Sequence, residues 1–103
     1  MQKHKFRAKP TIADGIRFDS KLEARYYERL KLLQKAGDVV FFLRQVPFHL
    51  PGNVRYVVDF QEFRSNGDVV FTDVKGMETK DFIMKKKMVE AIYPVVINIV
   101  KKV

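Results

Sequence analysis

Residues 54–75, VRYVVDFQEFRSNGDVVFTDVK, predict two β-strands joined by a tight turn. The outer runs are rich in valine and phenylalanine, and the SNGD stretch between them supplies the turn residues. Asp59 lies inside the first strand, and Asp73 and Lys75 lie near the end of the second. Residues two apart on a strand share a face, so Asp73 and Lys75 point the same way. Charges on a buried face need partners, and this pair therefore needs an explanation.

The length of the turn decides which residues of the two strands face each other. A two-residue loop, 66–67, would set Asp59 opposite Val74. A three-residue loop, 65–67, would end in a glycine that forms a left-handed bulge, and it would set Asp59 opposite Asp73. We favour the three-residue loop because it leaves no isolated acid on the other face. One face would then be apolar with its charges at one end, and it would carry Val57, Asp59, Phe63, Val69, Phe71, Asp73 and Lys75.

Helices and further strands are predicted on both sides of this pair. Residues 19–37 predict a helix that Ser20 caps and that ends at Gly37, with an apolar stripe of Leu22, Tyr26, Leu30 and Leu33. The segment VVFFLRQVPFHL predicts a strand that bends or ends near Pro47. A second helix follows the pair, with Thr79 as its cap, and PVVINIV predicts a last strand. The order αβββαβ predicts an α/β domain with a mixed central sheet flanked by helices.

Composition bounds the class of protein. The chain has 103 residues, 47% of them hydrophobic, which suits one folded domain. It has no cysteine, which excludes disulfides, thiolate metal sites and cysteine nucleophiles and fits a reducing cytoplasm. No apolar run approaches the ~20 residues of a membrane span. The segment MQKHKFRAKP is basic without an apolar centre, so a secretory signal is not expected.

The balance of charge points to a polyanionic partner. Twenty lysines and arginines oppose twelve acidic residues, a net charge of +8. Nucleic acid is the favoured partner, and the alternative is a basic protein that binds no polyanion. We expect residues 1–18 to be a basic arm that stays mobile until bound, followed by one domain at 19–103. The arm carries Lys3, Lys5, Arg7 and Lys9.

The facing aspartates form a candidate metal site. Two partly buried carboxylates repel unless one is protonated or a cation lies between them. Mg²⁺ prefers oxygen ligands, and Asp59, Asp73 and the carbonyl of Val74 would supply three. Lys75 would reach the same pocket and orient or help deprotonate a water, or neutralise a phosphate. The alternative is a structural ion pair between Lys75 and either aspartate.

Glu23 is the third candidate acid, and two roles compete for it. Ser20 to Glu23 matches the capping box S-x-x-E, which would keep the carboxylate at the helix end. Glu23 also adjoins Leu22 and Tyr26 on the inward stripe, so its carboxylate would face the sheet as a metal ligand. The spacing leaves both roles open.

The segments that carry these acids, E23, VVDF at 57–60 and TDVKG at 72–76, resemble the catalytic pattern of the PD-(D/E)XK nuclease superfamily. That superfamily has an αβββαβ core. Val58 stands where the superfamily name has proline, and Asp73 stands at the position that takes Asp or Glu. The chain is also similar, over roughly residues 14–100, to a small family of phage-encoded nucleases grouped with Holliday-junction resolvases. The similar segments are IRFDSKLEARYYERLKLL, RQVPFHL, RYVVDF, TDVKG and TKDFIMKKKMVEA.

The resemblance implies a restriction-endonuclease-like fold and a Mg²⁺-dependent DNA endonuclease in which Mn²⁺ substitutes. It implies catalytic roles for Glu23, Asp59, Asp73 and Lys75 and a pocket position for Gln45. The implied substrate is branched DNA in phage recombination or replication, cut by a homodimer in the cytoplasm of a bacterial host. Two alternatives stay open. One is an inactive DNA-binding module, and the other is a nuclease subunit of a larger recombination or transposition complex.

The lysines of the second helix are further candidates for DNA contact. Phe82, Val89 and Ile92 form its apolar stripe, and Lys85 falls between them, so we expect Lys85 to point toward the sheet. Lys86 and Lys87 are expected on the solvated flank, where they would meet the DNA backbone. The alternative for all three is a solvated lysine face without a ligand.

Overall fold

The computed structural model describes residues 10–103. Their elements follow in the order β1 (Thr11–Ala13), β2 (Ile16–Phe18), α1 (Lys21–Ala36), β3 (Val39–Leu50), β4 (Val54–Arg64), β5 (Val69–Val74), α2 (Lys80–Ile92) and β6 (Ile97–Val100). The predicted αβββαβ order is therefore confirmed from α1 onward. No helix in the described part of the chain is both long and apolar enough to cross a membrane.

The central sheet is mixed, as predicted. Its strands lie in the order β3-β4-β5-β6, with antiparallel pairs except for the parallel pair β5 and β6. Each helix that flanks the sheet packs on its own apolar cluster. The α1 cluster includes Phe18, Ala24, Tyr26, Tyr27, Leu30, Val39, Phe60 and Val74. The α2 cluster includes Phe48, Leu50, Tyr56, Val58, Phe82, Val89 and Ile97.

The turn between β4 and β5 is the predicted three-residue loop. Phe63 pairs with Val69, and the Arg64 amide donates to the Asp68 carbonyl at 2.9 Å across the loop. Gly67 has φ +95°, a left-handed conformation that glycine adopts without a steric penalty. This register, continued toward the other end of the strands, sets Asp59 beside Asp73.

A hairpin precedes α1, and it corrects the predicted boundary at residue 18. β1 and β2 pair through a two-residue turn at Asp14 and Gly15, whose φ angles are +52° and +74°. Positive φ at both positions is typical of a type I′ turn, for which Asp-Gly is a preferred pair. Phe18 is fully buried in the α1 cluster, so residues 11–18 belong to the domain. The candidate DNA contacts of the predicted arm, Lys3, Lys5, Arg7 and Lys9, lie outside the described residues.

Strict alternation of faces fails in β4 at Asp59. Val58 packs in the α2 cluster and Phe60 packs in the α1 cluster, although residues two apart on a regular strand share a face. The ladder of paired residues between β4 and β5 ends at Phe60 and Thr72, just before the two aspartates. The seven residues from Val57 to Lys75 that were predicted to share one apolar face therefore do not all share it, and that prediction is wrong. One of them, Val69, is also 47% exposed.

β3 runs through Pro47 and ends at Leu50, so the strand does not end at the proline. Proline is tolerated here because β3 is an edge strand of the sheet. The backbone irregularity lies instead at Gln45, which has φ +55°. Gln45 stands opposite Asp59, between the paired positions Arg44–Phe60 and Val46–Val58. Both neighbouring strands are thus irregular at the same level of the sheet.

Candidate active site

Three acidic side chains from three elements are buried at the level where β4 becomes irregular. Glu23 lies in the first turn of α1, Asp59 lies in β4, and Asp73 lies in β5. Their exposed fractions are 5%, 9% and 1%. Burying a carboxylate costs free energy unless hydrogen bonds or a cation compensate it. The partners of each acid therefore decide what the site can do.

Each of the two aspartate side chains accepts a hydrogen bond from a main-chain amide of the neighbouring strand. The Asp59 amide donates to Oδ1 of Asp73 at 2.9 Å, and the Val74 amide donates to Oδ2 of Asp59 at 2.8 Å. The phenol of Tyr56 donates to Oδ2 of Asp73. These side-chain acceptors take the place of ladder bonds where the pairing of β4 with β5 stops. The aspartates are consequently fixed side by side, with their carboxylates directed inward.

Glu23 combines the two roles that the sequence left open. Ser20 Oγ accepts a hydrogen bond from the Glu23 amide at 3.0 Å, so Ser20 caps the helix as predicted. The Glu23 carboxylate faces the sheet, where Oε2 accepts from Gln45 Nε2 at 3.3 Å and lies 3.8 Å from the Arg44 guanidinium. The cap thus sets the helix start that presents Glu23 to β3 and β4.

Burial disfavours the ionised forms of all three acids and raises their pKa values. Burial, followed by the charge of Asp59, raises the pKa of Glu23 to about 7. Burial also raises the pKa of Asp59 and of Asp73, although the hydrogen bonds that they accept and the charge of Lys75 oppose the increase. A nearby cation would favour the ionised forms of these acids.

Lys75 supplies positive charge without closing an ion pair. Its charge lowers the pKa of Asp59 and of Asp73, yet among the ion pairs of residues 10–103 none joins Lys75 to either aspartate. Its ammonium lies 5.2 Å from the centroid of the Phe82 ring, a cation–π distance. The structural ion pair that the sequence allowed is therefore not formed.

Gln45 connects two of the acids. Its amide donates to Glu23 at 3.3 Å, and a hydrogen bond to its side chain lowers the pKa of Asp59. The residue as a whole is exposed, so its amide reaches inward from the edge strand. The positive φ of Gln45 is unusual for a residue with a Cβ atom. Its position beside Glu23 and Asp59 agrees with the expected place in the pocket, and a role in catalysis stays a prediction.

The lysines of α2 lie away from these acids. Lys85 pairs with Asp81 at 3.2 Å and its side chain is 30% exposed, so its expected direction toward the sheet stays a prediction. Ile92, which was expected on the same stripe, is 50% exposed. Lys86 pairs with Glu90 at 3.1 Å, and Lys87 is exposed. Of the three, only Lys87 presents an ammonium without a partner in the described residues.

Sequence reasoning missed three residues that act on the site. Arg44 approaches Glu23 and lies 4.4 Å over the Phe18 ring, and Asp19 is an exposed acid whose charge raises the pKa of Glu23 and Asp59. Tyr56 binds Asp73. The only sequence signal was proximity to the candidate residues, since Arg44 precedes Gln45 and Asp19 precedes the cap.

The donor chemistry of the site suits a hard divalent cation. All three acids offer carboxylate oxygens, which Mg²⁺ prefers, and among residues 10–103 no ion pair neutralises either buried aspartate. A carboxylate has about four lone-pair positions, so the hydrogen bonds described above leave capacity for a metal. Within residues 10–103, no three His, Cys, Asp or Glu side chains already form a metal cage. The facing aspartates are consequently the best candidates for direct ligands.

Comparison with known proteins identifies a family without an assigned activity. No curated protein matches this chain. The family model DUF1064, described as a protein of unknown function, matches residues 3–102, which includes every element described above. The chain belongs to the DUF1064 family.

Proposed function

We propose that this protein is a Mg²⁺-dependent DNA endonuclease of the PD-(D/E)XK type that cuts branched DNA. One observation carries the proposal. Glu23, Asp59 and Asp73 come from three elements, are each buried, and have raised pKa values, and the nearby Lys75 ammonium forms an ion pair with neither aspartate. Titratable groups perturbed by burial and by specific charges are typical of functional sites.

Asp59 and Asp73 would hold the cation, with Glu23 and the Val74 carbonyl as further oxygen donors. When bound, the ion polarises the phosphodiester and stabilises the charge that develops during hydrolysis. The chain itself prepares the site for it. The amides of Asp59 and Val74 fix the two aspartate carboxylates before any ligand arrives. Gln45 links Glu23 to the same pocket.

Lys75 provides the second part of the proposed mechanism. Its ammonium is half-buried and is not consumed by an ion pair with either aspartate. It is therefore free to orient a water at the scissile phosphate or to neutralise a phosphate oxygen. The ring of Phe82 beneath Nζ limits the positions that the ammonium can take. Arg44 adds positive charge beside Glu23 on the other side of the cluster.

The substrate class follows from charge and from the resemblance. A net charge of +8 favours a polyanion, and affinity for DNA arises mainly from phosphate contacts. The sequence offers no base-reading motif, so the proposed recognition is of DNA shape. A symmetric cut across a four-way junction needs two active sites, and we therefore propose a homodimer.

A panel of DNA substrates tests the proposal. Wild-type protein is incubated with linear duplex, flap, fork and four-way junction DNA in Mg²⁺, in Mn²⁺ and in chelator. We expect metal-dependent cutting that favours branched substrates. Asp73→Asn retains an oxygen acceptor for the Asp59 amide, so we expect it to fold and bind DNA but to lose cutting by orders of magnitude.

Asp81→Asn is the matched control, because Asp81 is an exposed acid that pairs with Lys85 outside the cluster. It should cut like the wild type. Equal cutting by Asp73→Asn and wild type would remove Asp73 from the mechanism. Binding of junctions without cutting in either metal would favour the inactive DNA-binding module. Cutting only after addition of a partner protein would favour the subunit of a larger complex.

A further inference from the structure

Two aromatic side chains lie directly behind the acids and the lysine of the site. Tyr56 is 5% exposed and donates its phenol hydrogen to Oδ2 of Asp73. Phe82 is 8% exposed, and its ring lies beneath the Lys75 ammonium. The two rings adjoin, with centroids 6.0 Å apart. The adjoining rings therefore contact the two charged residues of the segment 73–75, Tyr56 at Asp73 and Phe82 at Lys75.

The arrangement gives each ring a separate task. Asp73 Oδ1 is already fixed by the Asp59 amide, and the Tyr56 phenol fixes the second oxygen, so the carboxylate plane is held at both ends. Within residues 10–103 the Lys75 ammonium has no such hydrogen-bonded anchor, and it lies over the Phe82 ring. Because Asp73 and Lys75 are two residues apart, their side-chain separation depends on both supports.

We propose that Tyr56 and Phe82 are positioning residues, Tyr56 for the carboxylate of Asp73 and Phe82 for the ammonium of Lys75. The inference deepens the proposed nuclease function and rests on it for its catalytic meaning. Partners that orient a metal ligand usually affect metal affinity, whereas a support for the lysine affects the chemical step. Loss of the Tyr56 hydroxyl should therefore weaken metal affinity, whereas loss of the Phe82 ring should lower kcat.

Tyr56→Phe tests the first task, because it keeps the buried ring and removes only the hydroxyl. NMR scalar couplings of the metal-free protein report the side-chain rotamer of Asp73. We expect one rotamer in the wild type and several in Tyr56→Phe. Calorimetric titration with Mn²⁺ alone should show affinity weakened by about 10–100-fold in the variant. Tyr93→Phe is the matched control, since the Tyr93 phenol donates to the His49 carbonyl away from the acids.

Phe82→Leu tests the second task. We expect kcat to fall by about two- to fivefold, the rate equivalent of an ordinary cation–π contact, while Mn²⁺ affinity stays at the wild-type value. Phe48→Leu is the matched control for lost core packing, because Phe48 is 9% exposed and belongs to the same α2 cluster. It should lose stability to a similar extent and keep its kcat.

The outcomes for the two proposals are distinguishable. A single Asp73 rotamer in Tyr56→Phe, or unchanged Mn²⁺ affinity, would overturn the role of Tyr56. A kcat equal to that of Phe48→Leu would overturn the role of Phe82. If the wild type neither binds Mn²⁺ nor cuts DNA, the proposed function fails. The rotamer measurement, which needs no metal and no substrate, still decides whether Tyr56 orders Asp73.

Discussion

Glu23 shows how a single residue joins helix formation to the chemistry of the site. Its amide donates a hydrogen bond to Ser20 Oγ at the helix start, while its carboxylate is buried against Gln45 and Arg44. Burial and the charge of Asp59 raise its pKa to about 7, so near neutral pH the group is partly protonated. A carboxyl that exchanges its proton in this range responds to any cation that enters the site.

The raised pKa of Glu23 predicts that stability falls as pH rises. The folded state holds the proton up to about pH 7, whereas the unfolded chain releases it near the ordinary value of 4.5. The contribution is therefore complete below the unfolded pKa and is lost as pH rises through the folded one. The loss is on the order of 3 kcal/mol. The raised pKa values of Asp59 and Asp73 act in the same direction.

Urea denaturation of metal-free protein at about pH 5 and about pH 8 checks this prediction. Glu23→Gln should flatten the pH dependence, because it removes the titrating group at nearly constant volume. Glu28→Gln changes an exposed glutamate of the same helix and should keep the wild-type slope. A wild-type free energy of unfolding that increased over this range would contradict the burial argument.

Lys75 permits a second prediction for a single residue. Lys75→Met keeps most of the side-chain volume over Phe82 and removes the charge. Cleavage should fall by about 10²–10⁴-fold, the usual contribution of a group that moves or orients a proton, while junction binding changes little. Lys85→Met is the control, because Lys85 pairs with Asp81 outside the site. Parallel losses of binding and cutting would indicate a role in DNA affinity alone.

At the scale of elements, the hairpin of β1 and β2 supports the start of α1. Phe18 ends β2, contacts the Tyr27 ring with centroids 5.0 Å apart, and lies under the Arg44 guanidinium. Asp14 in the turn accepts a hydrogen bond from the Tyr27 phenol at 2.9 Å. The hairpin is thus packed against the helix that presents Glu23, and its loss should affect the whole domain.

Phe18→Ala should lower the free energy of unfolding by about 3–5 kcal/mol, since it removes a fully buried ring and leaves a cavity. Ile12→Ala lies in the same hairpin but at a side chain that is 71% exposed, and it should change stability by less than about 0.5 kcal/mol. Urea denaturation of both variants measures the difference. Similar values for the two would show that the hairpin is not part of the cooperative fold.

At the scale of the whole molecule, the proposed DNA binding depends on the excess of positive charge. The chain has a net charge of +8, whereas the cluster of Glu23, Asp59 and Asp73 is acidic. Basic residues elsewhere on the surface would therefore have to attract the phosphates of DNA. Several basic residues of the described chain are already partnered by acids. Lys86 is one of these, whereas its exposed neighbour Lys87 is not.

Lys87→Gln should therefore weaken binding to junction and duplex DNA alike. The slope of log affinity against log salt should become shallower by about one unit, as expected when one phosphate contact is lost. Lys86→Gln should have a smaller effect because its ammonium already contacts Glu90 at 3.1 Å. Fluorescence anisotropy across a salt series measures both slopes. If both variants kept the wild-type slope, the DNA-binding surface would lie elsewhere.

The sequence by itself determined the order of the elements from α1 onward and the register of the central hairpin. Ser20, Thr79, Gly37 and Gly67 act through contacts with residues a few positions away, so their signals survive without tertiary information. Counting residues along both strands from the bulged turn then placed Asp59 beside Asp73. Local rules of capping, turns and periodicity were sufficient for these features.

Only the tertiary structure decided which side chains surround the acids. The contact of Tyr56 with Asp73 spans 17 positions and that of Gln45 with Glu23 spans 22. The change of face at Asp59 also contradicts simple periodicity. Periodicity assumes regular elements, whereas buried carboxylates recruit main-chain donors and distort the strands that carry them. The competition between strand pairing and charge burial is settled only when distant segments meet.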